Sequence, residues 1–139
     1  MNPKFLVKSD VTINSSAKTI VVPAHEQWKI HSLIAKLVST ATAGNRALRL
    51  SIRKPDDTVI FQTDALNTQA ASLTYFYNFM PGAANEDHQA KKWFQNGLPT
   101  ECYVPAGYKI KIEDVTAVDA AADDMDIHIQ YHNVGLFGI

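Results

Sequence analysis

The sequence has little of what chemistry or a special environment demands. Its 139 residues hold one cysteine, Cys102, which excludes an internal disulfide and a cysteine-based zinc cluster. Neither sign of charge dominates, with 13 Lys+Arg against 14 Asp+Glu. Affinity for phosphate backbones comes mainly from a clear Lys/Arg surplus, so no nucleic-acid partner is expected. No apolar run approaches the roughly 20 residues of a membrane helix, and the opening MNPKFLVKSD has no secretory h-region. No membrane role is expected, and synthesis in the cytoplasm is. There is no Gly-rich phosphate loop and no Gly-x-Ser-x-Gly elbow, and the six glycines are scattered. No catalytic residue and no cofactor are therefore expected. What the chain does have is 46% hydrophobic residues, enough for one domain over 1–139 that buries about two-thirds of its unfolded surface.

Period two is the strongest local signal. Segment 108–113 alternates Tyr108, Ile110 and Ile112 with Lys109, Lys111 and Glu113. Segment 125–132 alternates Met125, Ile127, Ile129 and Tyr131 with Asp126, His128, Gln130 and His132. Such alternation is the mark of a half-buried strand. Segment 46–53 points Leu48, Leu50 and Ile52 inward, and 73–79 does the same with Leu73, Tyr75, Tyr77 and Phe79. Segment 28–38 is apolar on both faces, with Trp28, Ile30, Ile34 and Val38 on one and Leu33, Ala35 and Leu37 on the other. It reads as a central strand covered on both sides, one of them by a subunit neighbour. Shorter strands are expected at 19–22, 58–62 and 101–104. Gly44-Asn45, Pro55-Asp56-Asp57 and Pro105-Ala106-Gly107 supply the turns. About eight short strands define an all-β antiparallel sandwich of jelly-roll type. Residues 21–30 and 103–110 echo each other as Val-Pro-Ala followed by aromatic-Lys-Ile, which fits either two similar turns or two equivalent corners of a jelly roll.

One long loop breaks the pattern, at 81–99. Asn85 is placed to cap a short helix there, with Glu86 and Asp87 in its first turn, Lys91 and Lys92 in its last, and Gly97 beyond its end. Trp93 and Phe94 ride on this excursion, either folded back as a lid or anchoring another chain. The chain ends are apolar as well. Residues 1–10 read as an N-terminal arm carrying Phe5, and 133–139 as a tail carrying Leu136, Phe137 and Ile139. Apolar ends pack on their own domain or dock on a neighbour.

The polar residues offer less. His128 and His132 lie about 13 Å apart on a strand at roughly 3.3 Å per residue, too far to share a metal. His25 and His31 have no carboxylate at ligand spacing. Asp119, Asp123, Asp124 and Asp126 lack the calcium-loop pattern and read as a solvated turn, so no metal is expected. Cys102 sits in a short strand as a small buried residue.

Several runs resemble a family of small virion proteins of tailed bacteriophages. They are Gly44-Asn45-Arg46 before a basic-apolar strand, the aromatic strand ending Phe79-Met80-Pro81-Gly82, Leu98-Pro99 with Val104-Pro105-Ala106-Gly107-Tyr108, and the run 119–125. The resemblance covers most of 28–125. It implies a jelly roll that decorates, or cements, the exterior of a capsid as a homodimer or homotrimer bound to the major capsid protein. It implies no enzyme activity and carries no catalytic residues. The near-zero charge suits a protein outside a DNA-filled shell. Arg46 would hold a turn-end salt bridge or a carboxylate of another subunit. Interface candidates are therefore Trp93, Phe94, Phe5, Leu136, Phe137, Ile139 and Arg46. A tail, neck or fibre adaptor is the second reading. A carbohydrate-binding sandwich using Trp28, Trp93, Tyr75 and Tyr77 is the third, although Tyr75 and Tyr77 share the core face of their strand.

Overall fold

The computed structural model describes residues 5–135. Eleven strands form two sheets. In chain order they are β1 (Phe5–Asp10), β2 (Ala17–Val21), β3 (Trp28–Val38), β4 (Leu48–Arg53), β5 (Val59–Asp64), β6 (Thr74–Pro81), β7 (Glu86–His88), β8 (Trp93–Leu98), β9 (Tyr103–Val104), β10 (Lys109–Asp114) and β11 (Asp124–Asn133). The larger sheet runs β1-β11-β3-β6-β8-β7, with β9 pairing β3, and the smaller runs β2-β10-β4-β5. Apart from β7, β8 and β9, which extend the large sheet, eight strands interleave between the sheets as β1-β11-β3-β6 and β2-β10-β4-β5. That interleaving is the jelly-roll form of a double-sheet sandwich.

The inward positions are those that period two selects. Ile110 and Ile112 from β10, Leu48 and Leu50 from β4, and Ile127 and Ile129 from β11 are all buried between the sheets. Tyr75, Tyr77 and Phe79 follow on β6. Tyr77 is held there because its hydroxyl donates to Gln69 Oε1 at 2.9 Å. Gln69 Nε2 in turn donates to the carbonyls of Leu37 and Leu73, so no polar atom of this pair enters the core without a partner.

Strand β3 corrects the two-faced reading of 28–38. Its register against β11 passes from Ser32↔Gln130 to Ile30↔Tyr131, leaving His31 as an extra residue. A bulge of this kind reverses the alternation along a strand. Trp28 and Ile30 therefore share the buried face with Leu33, Ala35 and Leu37. Only Ile34 and Val38, partly exposed, mark the opposite face. The apparent second apolar face was a phase shift within one.

The excursion 81–99 also differs from the capping pattern. Its helical part is a single 3-10 turn, Gln89–Lys91, closed by Lys92 in the left-handed region at φ 64°. The rest is strand: β8 runs parallel to β6, and β7 returns antiparallel on β8. Asn85 caps no helix. Its Oδ1 accepts from the backbone N–H of Gly97 at 2.8 Å, so residue 97 is an interior strand position. A Cβ there would lie 2.2 Å from the Ala83 carbonyl oxygen. Gly97→Ala is expected to push 83–85 off the strand and cost about 1–3 kcal/mol, the range for overpacking, read as a lowered thermal midpoint.

The two Val-Pro-Ala echoes are sheet-crossing corners. One leads from β2 in the small sheet to β3 in the large, and the other from β9 beside β3 to β10 in the small sheet. They lie against each other, with Val22 N–H donating to the Tyr108 carbonyl and Gly107 N–H to the Val22 carbonyl. Gly107 is needed there for its φ of +81°.

Candidate functional site

The interface candidates separate once they are placed. Phe94, the second residue of β8, is fully buried, stacked on Tyr77 with ring centroids 5.1 Å apart. Alternation along β8 turns it inward, so it is core and not a contact for another chain. Trp93, one residue earlier, faces outward and is half-buried, with its ring stacked on His88 at 4.0 Å. Leu136, Phe137 and Ile139 lie outside the described residues.

Arg46 is also internal. Its Nε and Nη2 grip both oxygens of Asp123 at 2.8 and 3.1 Å, and neither side chain is exposed. Nη1 donates to the carbonyls of Thr42 and Gly44, so the guanidinium staples turn 40–45 to the segment before β11. The hydrogen bond to Asp123 raises the Arg46 pKa against the opposing effect of burial. The intersubunit role is therefore closed to Arg46, and the turn-end salt bridge is what it forms. The same geometry corrects the solvated-turn reading of the acidic cluster. Asp123 is wholly buried, and Asp119 accepts from the Thr40 and Thr42 hydroxyls at 2.6 and 3.0 Å.

Phe5 opens the candidate assembly site. Strand β1 pairs with β11 from Phe5↔His132 to Asp10↔Ile127 and forms one edge of the large sheet. Among the described residues nothing pairs with its other side. Phe5, Leu6 and Val7 are 54, 37 and 58% exposed, and Val11 and Ile13 just beyond are 53 and 69% exposed. An edge strand usually carries lysine, proline or a bulge to prevent further pairing. Lys8 is such a residue in the middle of β1, but Phe5, Leu6 and Val7 ahead of it are exposed and apolar, which leaves that stretch suited to addition of another strand. The strand is firmly seated. Phe5 stacks on His31 at 4.6 Å, His31 Nε2 lies 2.8 Å from His132 Nδ1, and Ser9 Oγ lies 2.7 Å from His128 Nδ1. Burial, then the neighbouring His132 and Lys29, hold His31 below its ordinary pKa. Lys18, buried, reaches Asp10 at 3.2 Å and ties the strand's far end to β2. This pairing of His31 with His132 escaped sequence reasoning because it depends on the register of β3 against β11. The only signal was that both strands carry a histidine near one end.

Burial raises the Cys102 thiol to about 11, leaving little thiolate at neutral pH. Among the described residues no three His, Cys, Asp or Glu side chains converge as metal ligands. No helix among them is long and apolar enough to cross a membrane.

What fold and site define is a two-sheet jelly-roll sandwich with one open, partly apolar edge. No family model and no curated protein sequence matches the chain. Among solved structures it is similar to the infectious bursal disease virus VP2 subviral particle, with a TM-score of 0.44, 12% identity, and 93% of this chain and 33% of that one covered. A structure of the Gx strain of the same virus gives 0.43, 10%, 94% and 32%. The mitogen of Yersinia pseudotuberculosis gives 0.35, 14%, 93% and 86%. The chain spans about a third of the length of the viral proteins it matches.

Proposed function

We propose that this chain is a structural virion protein that decorates and cements a tailed-phage capsid. It works as a homodimer or homotrimer on the outside of the shell and binds the major capsid protein. The observation that carries the reading is the β1 edge, where unpaired backbone groups run beside exposed Phe5, Leu6 and Val7. Lys8 guards the second half of the strand, and the apolar stretch ahead of it is left for a specific partner. Symmetric pairing of β1 with another copy would repeat around a shell and bury area at every contact. The resemblance of 28–125 to small virion proteins and the near-neutral charge support this role.

The test is light scattering of the purified protein together with co-sedimentation on cognate capsids. The wild type is expected to be oligomeric and to pellet with capsids. Val7→Lys, which puts a charge on an exposed edge position, is expected to keep the melting temperature within a few degrees while giving monomers that stay in the supernatant. A monomeric wild type that fails to pellet would overturn the proposal.

A further inference from the structure

We infer that the outer face of β3, β6 and β8 is a binding groove for a pyranose that carries a carboxylate. The groove begins at β3, with β11 between it and β1, and does not depend on the assembly role. It has a volume of about 370 Å³ and is lined by Ile34, Phe76, Asn78, Lys91, Trp93 and Gln95.

Register builds it. His88, Trp93 and Phe76 are successive partners across β7, β8 and β6, so three rings form one rung. The next rung joins Gln95 to Asn78 and Asn78 to Ile34. Inward neighbours Phe94, Tyr77 and Phe79 are locked in the core, which fixes the outward residues between them. The indole is braced besides: His88 stacks on it at 4.0 Å, and His88 Nε2 meets Glu86 Oε2 at 2.9 Å. A site held on strands by such supports is preorganised.

The lining chemistry selects the ligand class. A pyranose has an apolar C–H face and a rim of paired hydroxyls. Trp93 and Phe76 offer flat apolar surface, and Phe76 remains 39% exposed. Planar amides offer an acceptor and donors together, matching neighbouring hydroxyls. Gln95 Nε2 is used by the Ala84 carbonyl at 3.0 Å, which holds the side chain in place and leaves Oε1 to accept. Among the described residues the Asn78 side chain has no hydrogen-bond partner. Lys91 is the one formal charge in the lining, and it forms no salt bridge among them. Exposed Lys36, the partner of Phe76 across β3 and β6, adds a second ammonium beside the groove. The Glu86 carboxylate opposite Gln95 is engaged by His88. Two ammonium groups beside two amides complement a carboxylate on the sugar and disfavour a cationic one. A peptide strand fits less well, because β6 and β8 already pair with each other and offer side chains, not a free backbone edge.

The test is an array of uronate- and sialate-bearing oligosaccharides with neutral counterparts of equal length. Hits are then titrated by tryptophan fluorescence and by backbone amide NMR. Saturable binding of acidic saccharides is expected, with shifts at 76–78 and 93–95. Trp93→Ala is expected to weaken it by about tenfold or more, and Asn78→Ala, which leaves the rings in place, by a smaller factor. Lys91→Ala is expected to reduce the preference for acidic over neutral sugars, and Lys91→Ala with Lys36→Ala to remove it. No saturable binding of any saccharide would overturn the inference. So would binding that survives Trp93→Ala, equal affinity for neutral partners, or a Trp93 signal that tracks protein concentration alone and so reports a second copy in the groove.

Discussion

Arg46→Ala is expected to destabilise the protein by about 3–5 kcal/mol, the usual consequence of leaving one member of a buried ion pair alone. The cause is threefold. Asp123 keeps its charge inside the protein with only the Thr40 N–H, at 2.8 Å, to offset it. The carbonyls of Thr42 and Gly44 lose their donor. The turn 40–45 loses its staple, and with it the route from β3 to β4. For a chain of this length the melting temperature should fall by about 10 °C or more. Replacing both partners, as in Arg46→Met with Asp123→Leu, leaves no stranded charge and is expected to cost less than Arg46→Ala. Thermal and urea melts of the single and double variants decide this. If Arg46 served another subunit, the loss would vary with protein concentration. Here it should not.

The same pair sets an acid limit. Burial tends to raise the Asp123 pKa, but the Arg46 and Thr40 hydrogen bonds and the Arg46 charge outweigh it and bring it below 3.8. A carboxyl depressed in the folded state stabilises above its unfolded pKa and loses that contribution as pH falls through the folded value. The wild type should therefore lose stability steeply below about pH 4, and Asp123→Asn, which has no carboxyl to protonate, less steeply.

Legibility in the sequence followed sequence distance. Strands β4, β6, β10 and β11 were plain because alternation is a local property set by the two faces of one strand. Strand β3 had the correct ends, Trp28 to Val38, but its faces were confused by the bulge at His31, which is visible only against β11. The excursion 81–99 showed charges placed as a helix would place them. The pairing energy of β8 along β6 instead drew 93–98 into the sheet, and helix signals over a few residues are too weak to resist that. Arg46 and Asp123 are 77 residues apart, so a chain of charges that looked like a wet turn closed on a buried guanidinium. The groove was hidden for the same reason. Trp93 was noticed as an aromatic, but Phe76, Asn78 and Gln95 join it only through a parallel register that no local pattern encodes.

The two ends of the large sheet have different chemistry. The β1 end is apolar over Phe5, Leu6 and Val7 and unpaired among the described residues, which suits contact with another chain. The β6–β8 end is already paired and covered at its margin by β7, and it offers rings, amides and the ammonium groups of Lys91 and Lys36, which suit a small polar ligand. An assembly protein with a binding groove needs these separated, because a contact that buried both would hide the groove. The sheet order keeps them apart by placing β11 between β1 and β3, the groove's nearest strand.

Adjacent residues on β8 give the sharpest contrast. Phe94→Ala is expected to cost about 3–5 kcal/mol, since a fully buried ring is removed from between Tyr75 and Tyr77 and the cavity cannot collapse against two locked neighbours. Trp93→Ala, on a half-buried outward position, should fall within about 1 kcal/mol of the wild type. Phe94→Leu, which keeps most of the apolar volume, should recover much of the loss. Urea unfolding reads all three, with the slope expected to hold and the midpoint to move. The opposite ranking, with Phe94→Ala neutral in stability and altered in oligomeric state, would turn β8 over and place Phe94 at a contact. It would also put Trp93 and the groove inside. The stability order of these two neighbours therefore tests the face assignment on which both the core and the groove depend.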